Sequence, residues 1–388
     1  MLDTPFSPWP SFTQEEADAA SRVLLSGRVN YWTGREGRQF EEEFAAFAEC
    51  DHAVAVGNGT LALDVALRAL EIGEGDEVVV TPRTFVASAS SIALTGARPV
   101  FADVDPETQN ITAGSVEAVL SARTRAIVCV HLAGQPCDMD PIMALARRHD
   151  LHVIEDCAQA HGARYRGRSV GSIGDIGAWS FCQDKIMSTG GEGGMVTTND
   201  RALWSRMWSF KDHGKSWEAV YERAHPPGFR WLHESFGTNW RMTEMQSAIG
   251  RIQLGRMPEW KAQRTTHAER IREAARGLPG IRVPEVPDWA EHAWYKCYLF
   301  VEPEALPAGL DRDGVIQALG ERGVPCFSGS CSEVYREKAF QDAGLAPRER
   351  LPAARRLGET SLMFLVHPTL ADEEIERTCT ALREVLAG

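Results

Sequence analysis

Residues 176–198 read Ile-Gly-Ala-Trp-Ser-Phe-Cys-Gln-Asp-Lys-Ile-Met-Ser-Thr-Gly-Gly-Glu-Gly-Gly-Met-Val-Thr-Thr. An apolar run, Ile176 to Phe181, leads to Lys185 and a glycine-rich turn. A second apolar run, Met195 to Thr198, leaves that turn. Glycines let the backbone take positive φ and let a ligand approach closely. A lysine held between two buried strands is desolvated, which disfavours its charged form and makes the amine a better nucleophile. Upstream, Val153-Ile154-Glu155-Asp156 reads as a buried strand ending in an acid.

Working outward, strands and helices alternate. Strands are expected at 53–56, 77–80, 99–102, 125–130 and 151–155, with helices at 61–70, 87–95 and 141–149 between them. That alternation argues for a largely parallel sheet covered by helices on both faces. Residues 14–26 read as a helix stopped by Gly27, and Phe40, Phe44 and Phe47 keep helical spacing. After Asn199 the character changes: residues 200–235 are rich in Trp, His and charge, and Pro226-Pro227-Gly228 marks a turn. Residues 243–269 read as mostly helical, with a break at Met257-Pro258. Strand signals at 298–301 and 324–327 and helical signals at 313–322 and 373–386 follow. The division is therefore a large domain, 1–257, whose N-terminal segment could pack elsewhere, and a smaller α+β domain, 258–388.

At 388 residues the chain exceeds one small core. A formal net charge of −13 makes a nucleic-acid footprint unexpected. The arginines at 164, 166 and 168 alternate, as on the exposed face of a strand. Nine cysteines, an odd number without a Cys-x-x-Cys pair, point to a reducing compartment and incidental thiols rather than a disulfide framework. Met1-Leu2-Asp3-Thr4-Pro5-Phe6 has no basic region followed by an apolar one, and no stretch approaches the roughly 20 apolar residues of a membrane span. The simplest placement is cytoplasmic. No metal-ligand pattern is expected.

A Schiff-base lysine together with an aspartate for a pyridinium nitrogen is what pyridoxal 5'-phosphate (PLP) needs from a protein. Lys185 and Asp156 supply both. Alone, Asp156 also reads as a helix cap. Gly57-Asn58-Gly59-Thr60 follows the first strand and opens a helix, so its N–H groups and the helix dipole favour an anion. It lacks the Gly-Lys-Ser/Thr of a P-loop and the third glycine of a dinucleotide fingerprint. Arg241 is a candidate to grip a carboxylate, with an ion pair to Glu244 as the equal alternative.

Glu155-Asp156-Cys157-Ala158-Gln159-Ala160-His161-Gly162, then Ser180-Phe181 with Lys185, then Gly191-Glu192-Gly193-Gly194, resemble the sugar-nucleotide aminotransferases of the DegT/StrS type. The likeness runs from about residue 10 to 380. It implies the fold of a fold-type-I PLP-dependent transferase. It implies that Thr60 and the Leu61 N–H take the cofactor's phosphate with Ser180, and that Phe85 lies against its ring. Gln159 stands near its 3-oxygen. His161 reads as a satisfied core histidine, with support of the cofactor's own contacts as the alternative. The segment Phe236 to Gln246 crosses to a partner in the family, so Asn239 would reach the neighbour's phosphate in a homodimer with shared sites. Tyr31 and Trp32, in Asn30-Tyr31-Trp32-Thr33-Gly34, would line the sugar site.

The resemblance further implies transfer of an amino group, with L-glutamate as donor and pyridoxamine 5'-phosphate as the carrier, to a nucleotide-linked keto-sugar. The product would be an amino-sugar for a surface polysaccharide or a natural product. Relatives with histidine at the Lys185 position dehydrate the sugar instead. A dehydratase, an aminotransferase acting on a cyclitol, and a PLP-binding regulator are the alternatives; the regulator would need a DNA-binding module or a basic face. Lys211 to Glu234, and Gly329-Ser330-Cys331-Ser332-Glu333, depart from the family pattern and are where specificity would lie.

Overall fold

Runs of Val, Ile and Ala with no polar alternation form the centre of the molecule, because such strands are buried on both faces. A computed structural model describes residues 5–387; Met1 to Thr4 and Gly388, at the ends of the two expected domains, lie outside the described residues. The main sheet has seven strands, in the order His52–Val56, Gly194–Thr198, Ile176–Ser180, His152–Asp156, Thr124–Val130, Glu77–Val80 and Arg98–Phe101. Gly194–Thr198 runs against the other six. Val130 pairs with Asp156, Asp156 with Ala178, and Ser180 with Gly194. The carboxyl ends of Val56, Val80, Val130, Asp156 and Ser180 therefore open on one edge.

Helices cover both faces. Leu63, Ala66, Leu67 and Ile92 pack with Val54, Val78, Val128 and Ile154 on one side; Ile142, Leu145 and Ala146 pack with Val79, Ile127 and Val153 on the other. The largely parallel, helix-covered sheet expected from the sequence is what the chain builds.

Helix Glu244–Ala275 starts at a capping box of Thr243 and Gln246. The break expected at Met257-Pro258 does not occur: Pro258 lies inside this 32-residue helix. A proline removes one helical hydrogen bond. Here Met257 and Trp260 are buried on either side of it, and the preceding turns are tied to helices Gln14–Ser26 and Glu36–Ala48 through Arg256 and Arg251. Position 257/258 thus falls mid-helix. Ala268, Ile271 and Ala275, further along, belong to a separate apolar cluster with the C-terminal elements. Those elements form an antiparallel sheet in the order Ile281–Arg282, Cys297–Val301, Ser361–Phe364 and Cys326–Phe327, backed by helices Arg312–Glu321 and Asp372–Ala387. Phe6, from the N-terminal segment, is buried in the same cluster.

The arginines at 164, 166 and 168 do not share one strand. Arg164–Tyr165 and Arg168–Ser169 pair across a tight turn at Arg166-Gly167, both at positive φ. Their charges meet Glu49 and Asp140. All nine cysteines are free. Among the described residues, no helix is long and apolar enough to cross a membrane.

Candidate active site

A cavity of about 500 Å³ opens at the carboxyl edge of the main sheet, within the range of about 300–1,000 Å³ usual for small-molecule sites. Thr60, Leu61, Phe85, Asp156, Gln159, Ser180 and Lys185 all line it. Seven residues spread over 126 positions of sequence converge because each closes or follows one of several neighbouring strands. A hollow of about 940 Å³ between helices Gln14–Ser26, Glu36–Ala48 and Glu244–Ala275 holds none of them.

The turn after His52–Val56 is wedged against two neighbouring strands. A Cβ at Gly59 would stand 2.5 Å from the Ser180 Cβ, and one at Gly194 would strike the Asn58 carbonyl oxygen. Only glycine permits either approach. Asn58 caps helix Gly59–Ala69 by accepting from the Leu61 N–H at 3.0 Å. The positive end of that helix, the Thr60 hydroxyl and Ser180 face one corner of the cavity, a setting suited to a phosphate.

Asp156 is nearly buried. Its Oδ2 accepts from the Ser88 hydroxyl at 2.7 Å, and Ser88 lies 2.8 Å from the Thr84 hydroxyl. Its Oδ1 accepts from the Ala158 N–H at 3.1 Å. Turns rather than a helix follow, so the helix-cap alternative for Asp156 lapses. Gln159 accepts from the Ala133 N–H at 2.8 Å, leaving its NH₂ as the remaining polar group. Phe85 is not a core aromatic: 65% of it is exposed, beside the cavity.

Lys185 stands in the loop between Ile176–Ser180 and Gly194–Thr198 and is half-buried, less enclosed than the strand reading implied. Its carbonyl oxygen accepts from the Trp9 indole at 2.8 Å. Its Nζ lies 5.0 Å from the Tyr295 ring centroid, and the Tyr295 hydroxyl donates to Asp184 at 2.6 Å. Burial pushes the amine of Lys296, on the same ring, down to about 8. His161 is buried between Trp179 and Phe181, and among the described residues neither ring nitrogen makes a well-formed hydrogen bond, with only the Ser180 backbone near enough to act on it, so it is less satisfied than a core histidine is expected to be. Burial, with Lys185 and Arg264 nearby, pulls it down to about 3 and keeps it neutral.

Beneath the cavity, Glu155 accepts from the Ile173, Gly174 and Gly171 N–H groups and from His131 Nε2, at 2.7–2.9 Å. Burial alone would raise its carboxyl; the His131 bond and the backbone amides outweigh that and hold it below the ordinary range. His131, Glu155 and Cys157 come within 4.8 Å of one another. Glu155 spends both oxygens on these donors and His131 Nδ1 accepts from Cys137, so the set serves the fold rather than a cation.

The remaining expected site residues lie outside the cavity. Asn239 is exposed on the surface. Tyr31 does not line a substrate site: it is 2% exposed, donates to Glu41 at 2.9 Å and accepts from Trp208 at 3.1 Å. Trp32 is half-buried and donates to Asp212 at 3.3 Å. Arg241 is bound in an ion pair, as its alternative reading had it, but with Asp212 at 2.7 Å; Glu244 instead accepts from the Glu36 and Gly37 N–H groups. Sequence reading passed over Ser88, Asp184, Tyr295 and Trp9. Only Ser88 carried a local signal, a hydroxyl four residues after Thr84 at the start of a helix.

A sheet of this order, with a lysine, a strand-end aspartate and a glycine turn at one edge, is that of a fold-type-I aminotransferase. The chain superposes on the solved aminotransferase from Psychrobacter cryohalolentis with a TM-score of 0.97 and 65% identity, covering 99% of each chain. It belongs to the DegT/DnrJ/EryC1/StrS aminotransferase family, whose sequence pattern matches residues 10–383. Aminotransferases of this family are PLP-dependent. Among relatives, the chain is 40% identical over 367 residues to GDP-perosamine synthase of Caulobacter vibrioides, covering 92% of each. It is 38% identical over 371 residues to dTDP-3-amino-3,4,6-trideoxy-alpha-D-glucose transaminase of Streptomyces venezuelae, covering 95% of this chain and 92% of that one.

Proposed function

We propose that the protein holds PLP in the 500 Å³ cavity and transfers an amino group from L-glutamate to the ring ketone of a nucleotide-linked sugar, yielding an amino-sugar for a surface polysaccharide or a natural product. The observation that carries this reading is the meeting of Lys185, Asp156 and the Gly57–Thr60 turn in one cavity. The two sugar-nucleotide relatives support the substrate class.

When bound, PLP supplies the electron sink that acidifies the donor's Cα–H. Lys185 would hold the cofactor covalently through its amine, and the free amine would take the proton from the donor's Cα. Asp156, its carboxylate aimed by Ser88 and the Ala158 N–H, would favour a proton on the ring nitrogen. Thr60 and Ser180 would hold the phosphate, joined by the Leu61 N–H once it turns from Asn58, while Phe85 would cover the ring face and the Gln159 amide would stand by the ring oxygen. Asn239 serves the site of a second copy, making the active unit a homodimer in the cytoplasm. Trp32 and the segment Lys211 to Glu234 shape sugar specificity. We read the chain as two units, 1–257 and 258–388, the second comprising the C-terminal sheet and the part of the long helix from residue 258 on.

The test is an assay of the purified protein with PLP, L-glutamate and a panel of nucleotide-linked keto-sugars. Amino-sugar formed in step with 2-oxoglutarate is expected. Loss of a sugar hydroxyl without consumption of glutamate would overturn amination in favour of the dehydratase.

A further inference from the structure

We infer that Asp212 is a positioning residue for the cofactor site: one buried carboxylate oxygen holds the strip Asn239–Arg241 against the Gly57–Thr60 turn. The inference rests on the proposed reading of that turn as a phosphate cradle.

Asp212 follows helix Arg201–Phe210 and its side chain is 0% exposed. Its Oδ1 accepts from Arg241 Nη1 at 2.7 Å, from the Trp32 indole at 3.3 Å and from Lys215 Nζ at 3.3 Å. Among the described residues the buried Oδ2 has no partner, so the carboxylate depends on what Oδ1 gathers. The backbone adds a second tie. Asp212 bridges Asn239, the Trp240 N–H donates to the Lys211 carbonyl at 3.0 Å, and the His213 N–H donates to the Thr238 carbonyl at 2.9 Å. On its other edge the strip meets the turn. Arg241 bridges Val56, and the Gly57 N–H donates to the Trp240 carbonyl at 2.9 Å. Residues 240 and 241 are thus a rung between Asp212 and the first residue of the glycine turn.

The Arg241 side chain returns to the same carboxylate its backbone flanks. Only 14% of that side chain is exposed. Removing the acid leaves a largely desolvated guanidinium without a counter-charge, and it must swing toward water. That movement pulls on the peptide that receives the Gly57 N–H, and misplacement by about 1 Å in a binding site is costly. A pair kept for stability alone needs no such link, since well-packed apolar residues serve a core as well. Asn239, adjacent on the strip, is placed by the same contacts.

The test uses the full-length apo-protein, with PLP as the probe. Asp212→Asn, Arg241→Gln and the double variant are titrated with PLP at a temperature where circular dichroism shows each folded; Thr60→Ala reports on the cradle. Each single variant is expected to raise the PLP Kd at least tenfold, and the double variant no further than the worse single, because both break the Asp212–Arg241 pair. An Asp212→Asn protein that melts earlier yet binds PLP within twofold of the parent overturns the inference and leaves a merely structural pair. Should Asp212→Asn fail to fold, normal affinity in Arg241→Gln overturns it equally. Normal affinity in Thr60→Ala overturns the cradle reading by itself, while Asp212 is still judged by its own variants.

Discussion

The indole N–H of Trp9 donates to the backbone carbonyl of Lys185 at 2.8 Å, across 176 positions of sequence. Trp9 packs edge-on against Trp260 and parallel to His367, so the N-terminal segment fastens the lysine loop to the C-terminal elements. Trp9→Phe keeps the packing and deletes the donor. It should cost about 1 kcal/mol of stability and lower kcat several-fold by loosening the Lys185 loop. Thermal melts and steady-state kinetics check this; unchanged kcat would confine Trp9 to packing.

Borohydride treatment of the PLP-loaded protein should fix the label to the peptide containing Lys185. Lys185→Ala should take up PLP but accept no such label and turn over no amine. Normal turnover by that variant would sink the assignment.

Asp156→Asn should bind PLP yet lose at least a hundredfold in rate, about 2.7 kcal/mol at 1.36 per decade. The neutral amide no longer favours a protonated ring nitrogen. Ser88→Ala, which removes the donor to Oδ2, should lose about tenfold by the same measure. A loss below tenfold in Asp156→Asn with cofactor bound would contradict the role.

Mixing Lys185→Ala with Asn239→Asp tests whether sites are shared. If Asn239 acts on the neighbour's phosphate, a hybrid dimer carries one site with both defects and one intact site. Each parent should be inactive, Asn239→Asp because it sets a negative charge beside a phosphate, and activity should partly return after subunit exchange. Hybrids that regain nothing, or a fully active monomer on sedimentation, would refute the arrangement.

Glu155→Gln should destabilise the fold by about 3 kcal/mol, because its NH₂ would face the backbone N–H donors the carboxylate now satisfies. The parent's carboxyl sits below its unfolded value of 4.5. Its stabilisation is therefore full above pH 4.5 and is lost as pH falls through the folded value. Denaturant melts of parent and variant should differ at pH 7 and converge only as pH falls through the folded carboxyl's value, below 4.5. Equal stability at pH 7 would refute this.

Much of the site was legible because its signals are local. A glycine turn opening a helix, an acid closing an apolar strand, and a lysine before Gly-Gly-Glu-Gly-Gly each occupy a few consecutive residues. The contacts that aim them were not legible. Ser88 reaches Asp156, Trp9 reaches Lys185 and Tyr295 reaches Asp184 across 68, 176 and 111 positions, and no spacing rule connects residues so far apart.

By itself the sequence determined the alternation of strands and helices, and with it the largely parallel sheet. Each of those follows from side-chain period and backbone freedom within a few residues. Tertiary structure alone decided that Pro258 stays inside a helix, that Tyr31 turns inward to Glu41 and Trp208, and that Arg241 answers Asp212 rather than Glu244. In each case burial against distant elements outweighed a local preference: a buried charge or hydroxyl takes the partner that packing brings to it, not the one nearest in sequence.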